Sequence, residues 1–322
     1  MRGCMMNRQA KSAPAHRVWF VAAITILVVT FVLDKPAYSA RLTWRLNVGQ
    51  KMSITLERTL RQSVADTEWT ETINYTLTWV VDAVDEFGNM TMQQMLTSVR
   101  HVLSFPGDVD ITYDSSVEGE VKGDAAILAK YWVPFLNVNR KVILQPDGKL
   151  TIVSADDLTR KPPAATPSAI PEVQDWSDVP QALVDQTWSL PERDLVLNEE
   201  WSTIKNLPWK DQENALELTT KYRYVGPTTL DEKSVEKIEV VMQWQDATTP
   251  ASTERVMIDR QAGGGGLYFD TSAGYLVASD RTQDLTVRIT RPDRTGQTVD
   301  LATSLEMQVQ PMASETPERT EP

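Results

Sequence analysis

In Ile73-Asn74-Tyr75-Thr76-Leu77-Thr78-Trp79-Val80-Val81 every odd-numbered residue is apolar, and the even positions up to Thr78 are Asn and Thr. Successive side chains of a strand point to opposite faces, so this stretch predicts a strand with one apolar and one polar face. The alternation recurs in Met52-Ser53-Ile54-Thr55-Leu56, in Ile238, Val240, Met242 and Trp244, in Leu285, Val287 and Ile289, and in Leu305, Met307 and Val309. Thr, Val, Ile, Tyr and Trp dominate these runs and suit a pleated, half-buried surface. Turn residues separate them: Asp85-Glu86-Phe87-Gly88-Asn89, Pro106-Gly107-Asp108, Pro146-Asp147-Gly148, Thr271-Ser272-Ala273-Gly274 and Pro292 to Gly296. Loops this short join antiparallel neighbours.

The fold class that follows is mainly β: long antiparallel strands forming curved sheets or an open barrel, with a short helical and Pro-rich interruption near the middle. The run Glu68–Val84 is longer than an ordinary strand, and long strands favour strong curvature over a compact sandwich. Asp124–Leu136 (DAAILAKYWVPFL) predicts a short helix that Pro134 interrupts. Pro162, Pro163, Pro167 and Pro171 mark a linker or long loop. Residues 172–190 are expected to add a helical turn or two.

The organisation read along the chain begins with an export segment. Residues 2–17 carry Arg2, Arg8, Lys11 and Arg17 without an acid, residues 18–33 are sixteen uncharged residues, and Ala37-Tyr38-Ser39-Ala40 follows. A basic stretch, an apolar core and a small-residue end is the layout of a secretory signal, with cleavage after Ser39 fitting the small-residue positions. The alternative is an uncleaved anchor, in which membrane contact is made only through residues 18–33. Residues 1–40 are therefore a signal peptide or signal anchor, 41–310 a β-rich exported region and 311–322 a disordered tail. The exported region divides into possible halves 41–158 and 188–310, joined by a Pro-rich and helical segment 159–187. Tyr113-Asp114-Ser115 and Phe269-Asp270-Thr271-Ser272 are similar corners in the two halves, read as shared turn chemistry in preference to repetition.

Composition excludes much chemistry. The chain is 322 residues with a net charge of −12; beyond residue 40 there are 27 basic and 43 acidic groups. Such a surface repels phosphate backbones, so nucleic acid is not an expected partner. Cys4 is the only cysteine, and His101 is the only histidine beyond the leader. No His-Glu-x-x-His, Gly-x-Ser-x-Gly or phosphate-loop motif occurs. Gly263–Gly266 precedes Leu267-Tyr268-Phe269, which reads as a strand, so the glycines predict a turn or bulge leading into it. No cofactor is implied.

Weak site candidates remain. Asp108, Asp110 and Asp114 are a carboxylate cluster that could offer oxygens to a hard cation, although their spacing matches no known loop and alternate strand positions would also simply face water. Nine tryptophans follow residue 40. Trp79 and Trp244 fall on the apolar phase of their strands and are expected in a core or lining a cavity. Trp176, Trp201 and Trp209 lie in irregular segments and are the candidates for an exposed ligand-binding surface.

Leu42-Thr43-Trp44-Arg45-Leu46-Asn47-Val48-Gly49-Gln50-Lys51, Val84-Asp85-Glu86-Phe87-Gly88, Gly266-Leu267-Tyr268-Phe269-Asp270 and Gly274-Tyr275-Leu276-Val277 resemble motifs of a family of uncharacterised exported bacterial proteins, defined only as a domain of unknown function. That resemblance spans most of residues 42–310 and implies no activity. A more distant architectural likeness is to the open-barrel periplasmic lipoprotein carriers. The expected function is a non-enzymatic envelope protein, periplasmic, cell-surface or extracellular, that binds an apolar ligand or lipid on the concave face of a sheet. The alternatives are a structural or protein-interaction module of the envelope, with an envelope protein as partner, and a carboxylate-based glycan hydrolase.

Overall fold

The computed structural model describes residues 38–65, 67–153, 188, 190–209, 214–248, 255–290 and 296–312. The expected leader, the Pro-rich segment and the last ten residues lie outside them.

The described chain is mostly strand. In order come β1 (Ser39–Ala40), β2 (Lys51–Val64), β3 (Thr67–Val84), β4 (Met90–Phe105) and β5 (Val109–Asp114). Then follow α1 (Ala125–Trp132), a 3-10 turn at Val133–Phe135, β6 (Asn139–Leu144), β7 (Leu150–Ile152) and β8 (Leu195–Val196). The last six strands are β9 (Glu200–Trp209), β10 (Asn214–Leu230), β11 (Lys233–Thr248), β12 (Arg255–Asp270), β13 (Tyr275–Thr290) and β14 (Gly296–Pro311). The stretch quoted first sits in the middle of β3, where buried and half-exposed residues alternate from Trp69 to Val81. Each large side chain turned inward there contributes about 2 kcal/mol of hydrophobic stabilisation. The helix expected within Asp124–Leu136 forms as α1, and Pro134 stands where it tightens into the 3-10 turn.

Twelve strands form one antiparallel sheet in the order β7-β6-β4-β3-β2-β14-β13-β12-β11-β10-β9, with β5 paired to β4. The sheet does not close into a barrel; β7 and β9 end its strand order, and β5 is a further outer strand beside β4. The chain's last long strand returns to its first, β14 pairing with β2 from Val299↔Val64 to Pro311↔Met52. Strands from the ranges 41–158 and 188–310 thus share one ladder. Pro311 belongs to that ladder, one residue past the boundary expected from the sequence.

The sheet is curved, as aromatic contacts require. Trp44 lies 6.3 Å from the Trp79 ring of β3 and 6.1 Å from the Phe269 ring of β12. β3 and β12 are separated by β2, β14 and β13, a flat distance of about 19 Å at the usual strand spacing. Only a sheet wrapped around Trp44 brings both rings against it. Trp44 belongs to residues 41–46, a strap that places Leu42, Trp44 and Leu46 in the core. Its backbone N–H groups at Trp44 and Arg45 donate to Pro146 and Gly274 carbonyls, joining the β6–β7 turn to the β12–β13 turn.

The four glycines depart from the expected turn. Gly263–Gly266 lie inside β12 and pair continuously with Gln283 through Asp280 of β13. Glycine is demanded at Gly265 by close backbone approach: a Cβ there would stand 2.0 Å from the Asp280 carbonyl oxygen. The other side of β12 is different. β11 and β12 pair only from Glu236↔Phe269 to Val241↔Gly264, although both strands continue. Beyond Gly264 the strands part, and the Gln261 side chain spans the gap. It accepts from the Trp244 N–H at 2.6 Å and donates to the Trp244 carbonyl at 2.9 Å.

Candidate functional site

Two polar groupings stand on the inward face. The first crosses β2, β3 and β4. Arg58 Nη2 donates to Glu71 Oε2 at 2.6 Å, His101 Nε2 lies 3.1 Å from Glu71 Oε1, and Trp132 Nε1 donates to His101 Nδ1 at 3.0 Å. An indole N–H can only donate, so Nδ1 holds a lone pair and the ring proton sits on Nε2, directed at the carboxylate. Burial pushes the Glu71 carboxyl up, but the hydrogen bond from His101 and the charge of Arg58 outweigh it and hold the group below the ordinary glutamate range. With both ring nitrogens engaged, His101 has no lone pair free to take a substrate proton. The relay instead ties α1, through Trp132, to β3 and β4.

The second grouping lies on β9–β14. On β13 the inward residues are Ser279, Arg281, Gln283, Leu285 and Val287, alternating with exposed Asp280, Thr282 and Asp284. The Arg281 guanidinium stands 4.1 Å from the centre of the Trp188 ring. Trp188 meets Tyr222 edge-on at 6.2 Å, and Trp201 stacks on Tyr222 at 5.2 Å. Burial raises the Tyr222 phenol against the lowering effects of its bond to Thr203 and the Arg281 charge, so it remains a neutral hydroxyl. Four polar atoms of this grouping are buried without a hydrogen-bond partner among the described residues: Ser279 Oγ, Gln283 Nε2, Trp188 Nε1 and Trp201 Nε1. Below it, Leu285 and Val287 form a small apolar cluster with Trp244, Ile258, Ile289 and Leu301.

The expected site residues divide. Trp201 is half-buried on edge strand β9 and belongs to the second grouping. Trp209 ends β9, and Trp176 lies outside the described residues. Trp79 is buried in the main core and Trp244 packs on the satellite cluster. Asp108 stands in the β4–β5 turn with a φ of 58°, and Asp110 is exposed on β5. Asp114 instead accepts from the backbone N–H and hydroxyl of Ser116, with Arg100 3.8 Å away. Among the described residues no group of three or more His, Cys, Asp or Glu side chains is placed to hold a metal ion. Asp270 repeats the Asp114 pattern with Ser272, so the two similar corners are matching turns. Among the described residues two inward acids are buried, and each has a protein partner: Glu71 as above, and Glu236, which accepts from the Tyr224 hydroxyl at 2.6 Å. Sequence reasoning passed over Ser279, Arg281 and Gln283, because a polar run on the inward phase looks like the polar face of a strand.

No described helix is long and apolar enough to cross a membrane. No family model matches this sequence. No curated protein matches it either. Solved structures that match include a lipovitellin described for its lipid–protein interactions, at 10% identity and a TM-score of 0.44. That likeness covers 84% of this chain and 26% of the lipovitellin chain, so the chain spans about a quarter of that protein. A Bacteroides fragilis protein described as exported, with a YMCC-like fold, is 10% identical with a TM-score of 0.23, covering 82% of this chain and 98% of the other. A DUF1329 family protein from Desulfovibrio piger is 9% identical with a TM-score of 0.16, covering 92% and 94%. These neighbours thus include one bacterial protein described as exported and one of a family of unknown function.

Proposed function

We propose that this is an exported cell-envelope protein without catalytic activity, which binds an apolar ligand or lipid on the inward face of its sheet. One observation carries the reading: the inward face is sealed unevenly. Over β3 and β4 the core is closed by α1, the strap and the Trp132–His101–Glu71 relay. Over β13 and β14 the inward side chains Arg281, Gln283, Leu301, Thr303 and Leu305 are only half-buried. A concave surface of mixed apolar and polar side chains that the described residues leave half-covered is the usual form of a small-molecule site. Lipid mass spectrometry on extracts of the purified full chain tests this. A co-purifying apolar molecule in near-stoichiometric amount is the expected result, and a reproducibly ligand-free protein overturns it.

A second reading, an interaction module of the envelope, is favoured by edge strand β9. No described strand pairs with its outer edge, and Ile204 is 64% exposed. Added strands pair with such edges. A ligand-free protein that co-purifies with one defined envelope protein would favour this reading over the first.

A further inference from the structure

The outward face of the sheet carries a cavity of about 260 Å³ where β3, β2, β14, β13 and β12 run side by side. Strand register sets its walls. Ala302 of β14 lies between Arg61 of β2 and Asp284 of β13. In the next row Ser63, Asp300, Thr286 and Arg260 stand in line across β2, β14, β13 and β12, and Glu68 of β3 pairs with Ser63. The lining pairs Arg61 and Ser63, Asp284 and Thr286, and Asp300 and Ala302 are each two positions apart, so they share one face, opposite to buried Leu285, Val287 and Val299. The alanine leaves the space. Arg61 and Asp284 start about 10 Å apart with only a methyl group between them.

The charges around this space are unmatched. Elsewhere Arg58, Arg100, Arg193, Arg223 and Arg288 each have a carboxylate at ion-pair distance. Arg41 and Arg45 donate to backbone carbonyls, and Arg140 and Arg281 lie over rings. Of the arginines whose side chains are described, Arg61 and Arg260 alone have no hydrogen bond, ion pair or ring contact, although Glu68, Asp284 and Asp300 line the same cavity. Arg61 and Asp300 are diagonal neighbours on adjacent strands, about 7–8 Å apart at the backbone, and Arg260 and Asp284 repeat that arrangement. Thr286 Oγ1 donates to Asp300 Oδ1 at 2.6 Å and fixes that carboxylate. A simple anion placed here would meet three carboxylates, and a simple cation two guanidiniums. A molecule that carries both signs matches both: a guanidinium presents N–H donors to a carboxylate or phosphate, and a carboxylate accepts from an ammonium.

We propose that this cavity is a binding site for a small zwitterion, whose anionic group is taken by Arg61 and whose ammonium is taken by Asp300, with Arg260 and Asp284 as a second pair of the same kind. The site lies on the opposite face from the apolar ligand proposed above and does not depend on it. A short peptide, with its carboxylate and ammonium, and the phosphoethanolamine headgroup of a lipid share the required chemistry.

The test is a ligand-observed NMR titration of the purified full chain with alanylalanine and with glycerophosphoethanolamine. Each has controls that lack one charge. N-acetylation removes the ammonium of either probe, and alanylalanine amide lacks the carboxylate. At least one zwitterion is expected to bind with a Kd lower than that of its own controls by about tenfold. The zwitterion that binds more tightly identifies the source of the anionic group. Arg61→Gln and Asp300→Asn are each expected to weaken that binding by about tenfold while the melting temperature holds. Arg61→Lys, which keeps the charge, is expected to retain part of it. Arg61→Gln removes no contact of the folded chain, so it carries the test if Asp300→Asn shifts the melt. Controls that bind as tightly as the zwitterion, binding that survives Arg61→Gln, or a chain that binds neither zwitterion overturns the site.

Discussion

Glu71 is the residue on which the sealed half of the molecule turns. It is 1% exposed and its two oxygens serve different partners, Arg58 and His101. Removing one member of such an arrangement leaves the others buried and unmatched. Glu71→Gln is therefore expected to destabilise the protein by about 3 kcal/mol, read as a lower denaturant midpoint at unchanged slope. The folded-state pKa of Glu71 is depressed below its ordinary value of 4.5. Its contribution is thus full above that value and is lost as pH falls through the folded-state pKa. The native protein should lose stability below pH 4.5 more steeply than the Gln variant, and parallel acid limbs in the two would contradict the arrangement. The position of His101 on a strand was legible in the sequence. Its partners were not, because Glu71 and Trp132 stand 30 and 31 residues away and only the strand register and the helix bring them to it.

At the scale of the element, β12 shows where local reading stops. Alternation identified β3, β11 and β13 directly, since each covers a core with one face. Gly263–Gly266 has no side chains to alternate, so periodicity fell silent and composition suggested a turn. Pairing decided otherwise: β13 supplies the ladder and the backbones approach too closely for a Cβ at one position. The two glycines that face inward make a paired test. A Cβ on Gly265 would meet the Asp280 carbonyl at 2.0 Å, whereas one on Gly263 finds its nearest neighbour at 3.4 Å. Gly265→Ala is expected to cost about 3 kcal/mol through forced backbone shifts. Gly263→Ala is expected to change stability by less than about 1 kcal/mol, since the entropy lost by glycine in a strand offsets a tight fit. Thermal melts of the two variants distinguish them, and equal effects would mean that the glycines serve only general flexibility.

For the whole molecule, the order of strands was beyond the sequence. Nothing in residues 51–64 announces that they lie beside residues 296–311, and that single pairing joins twelve of the described strands into one curved sheet. The same sheet has a weak line between β11 and β12, where main-chain pairing stops at Gly264 and Gln261 bridges the strands at Trp244. This line runs past Met242 and Gly263, on the inward face beside Gln283. A Cβ at Gly263 would lie 3.5 Å from the Met242 Cβ, within the range that a disulfide spans. Met242→Cys/Gly263→Cys, made with Cys4→Ser so that no other thiol is present, should therefore oxidise in air to a single intramolecular bond. Closing a loop of about 20 residues should raise stability by about 3 kcal/mol, reversed by reductant. The same bond fastens the strands where their ladder ends. If the inward face exchanges its ligand through this line, the oxidised form releases a bound apolar dye more slowly than the reduced form in stopped-flow measurements. Equal rates, with the bond confirmed by mass, would place the route at the open edges β7 and β9.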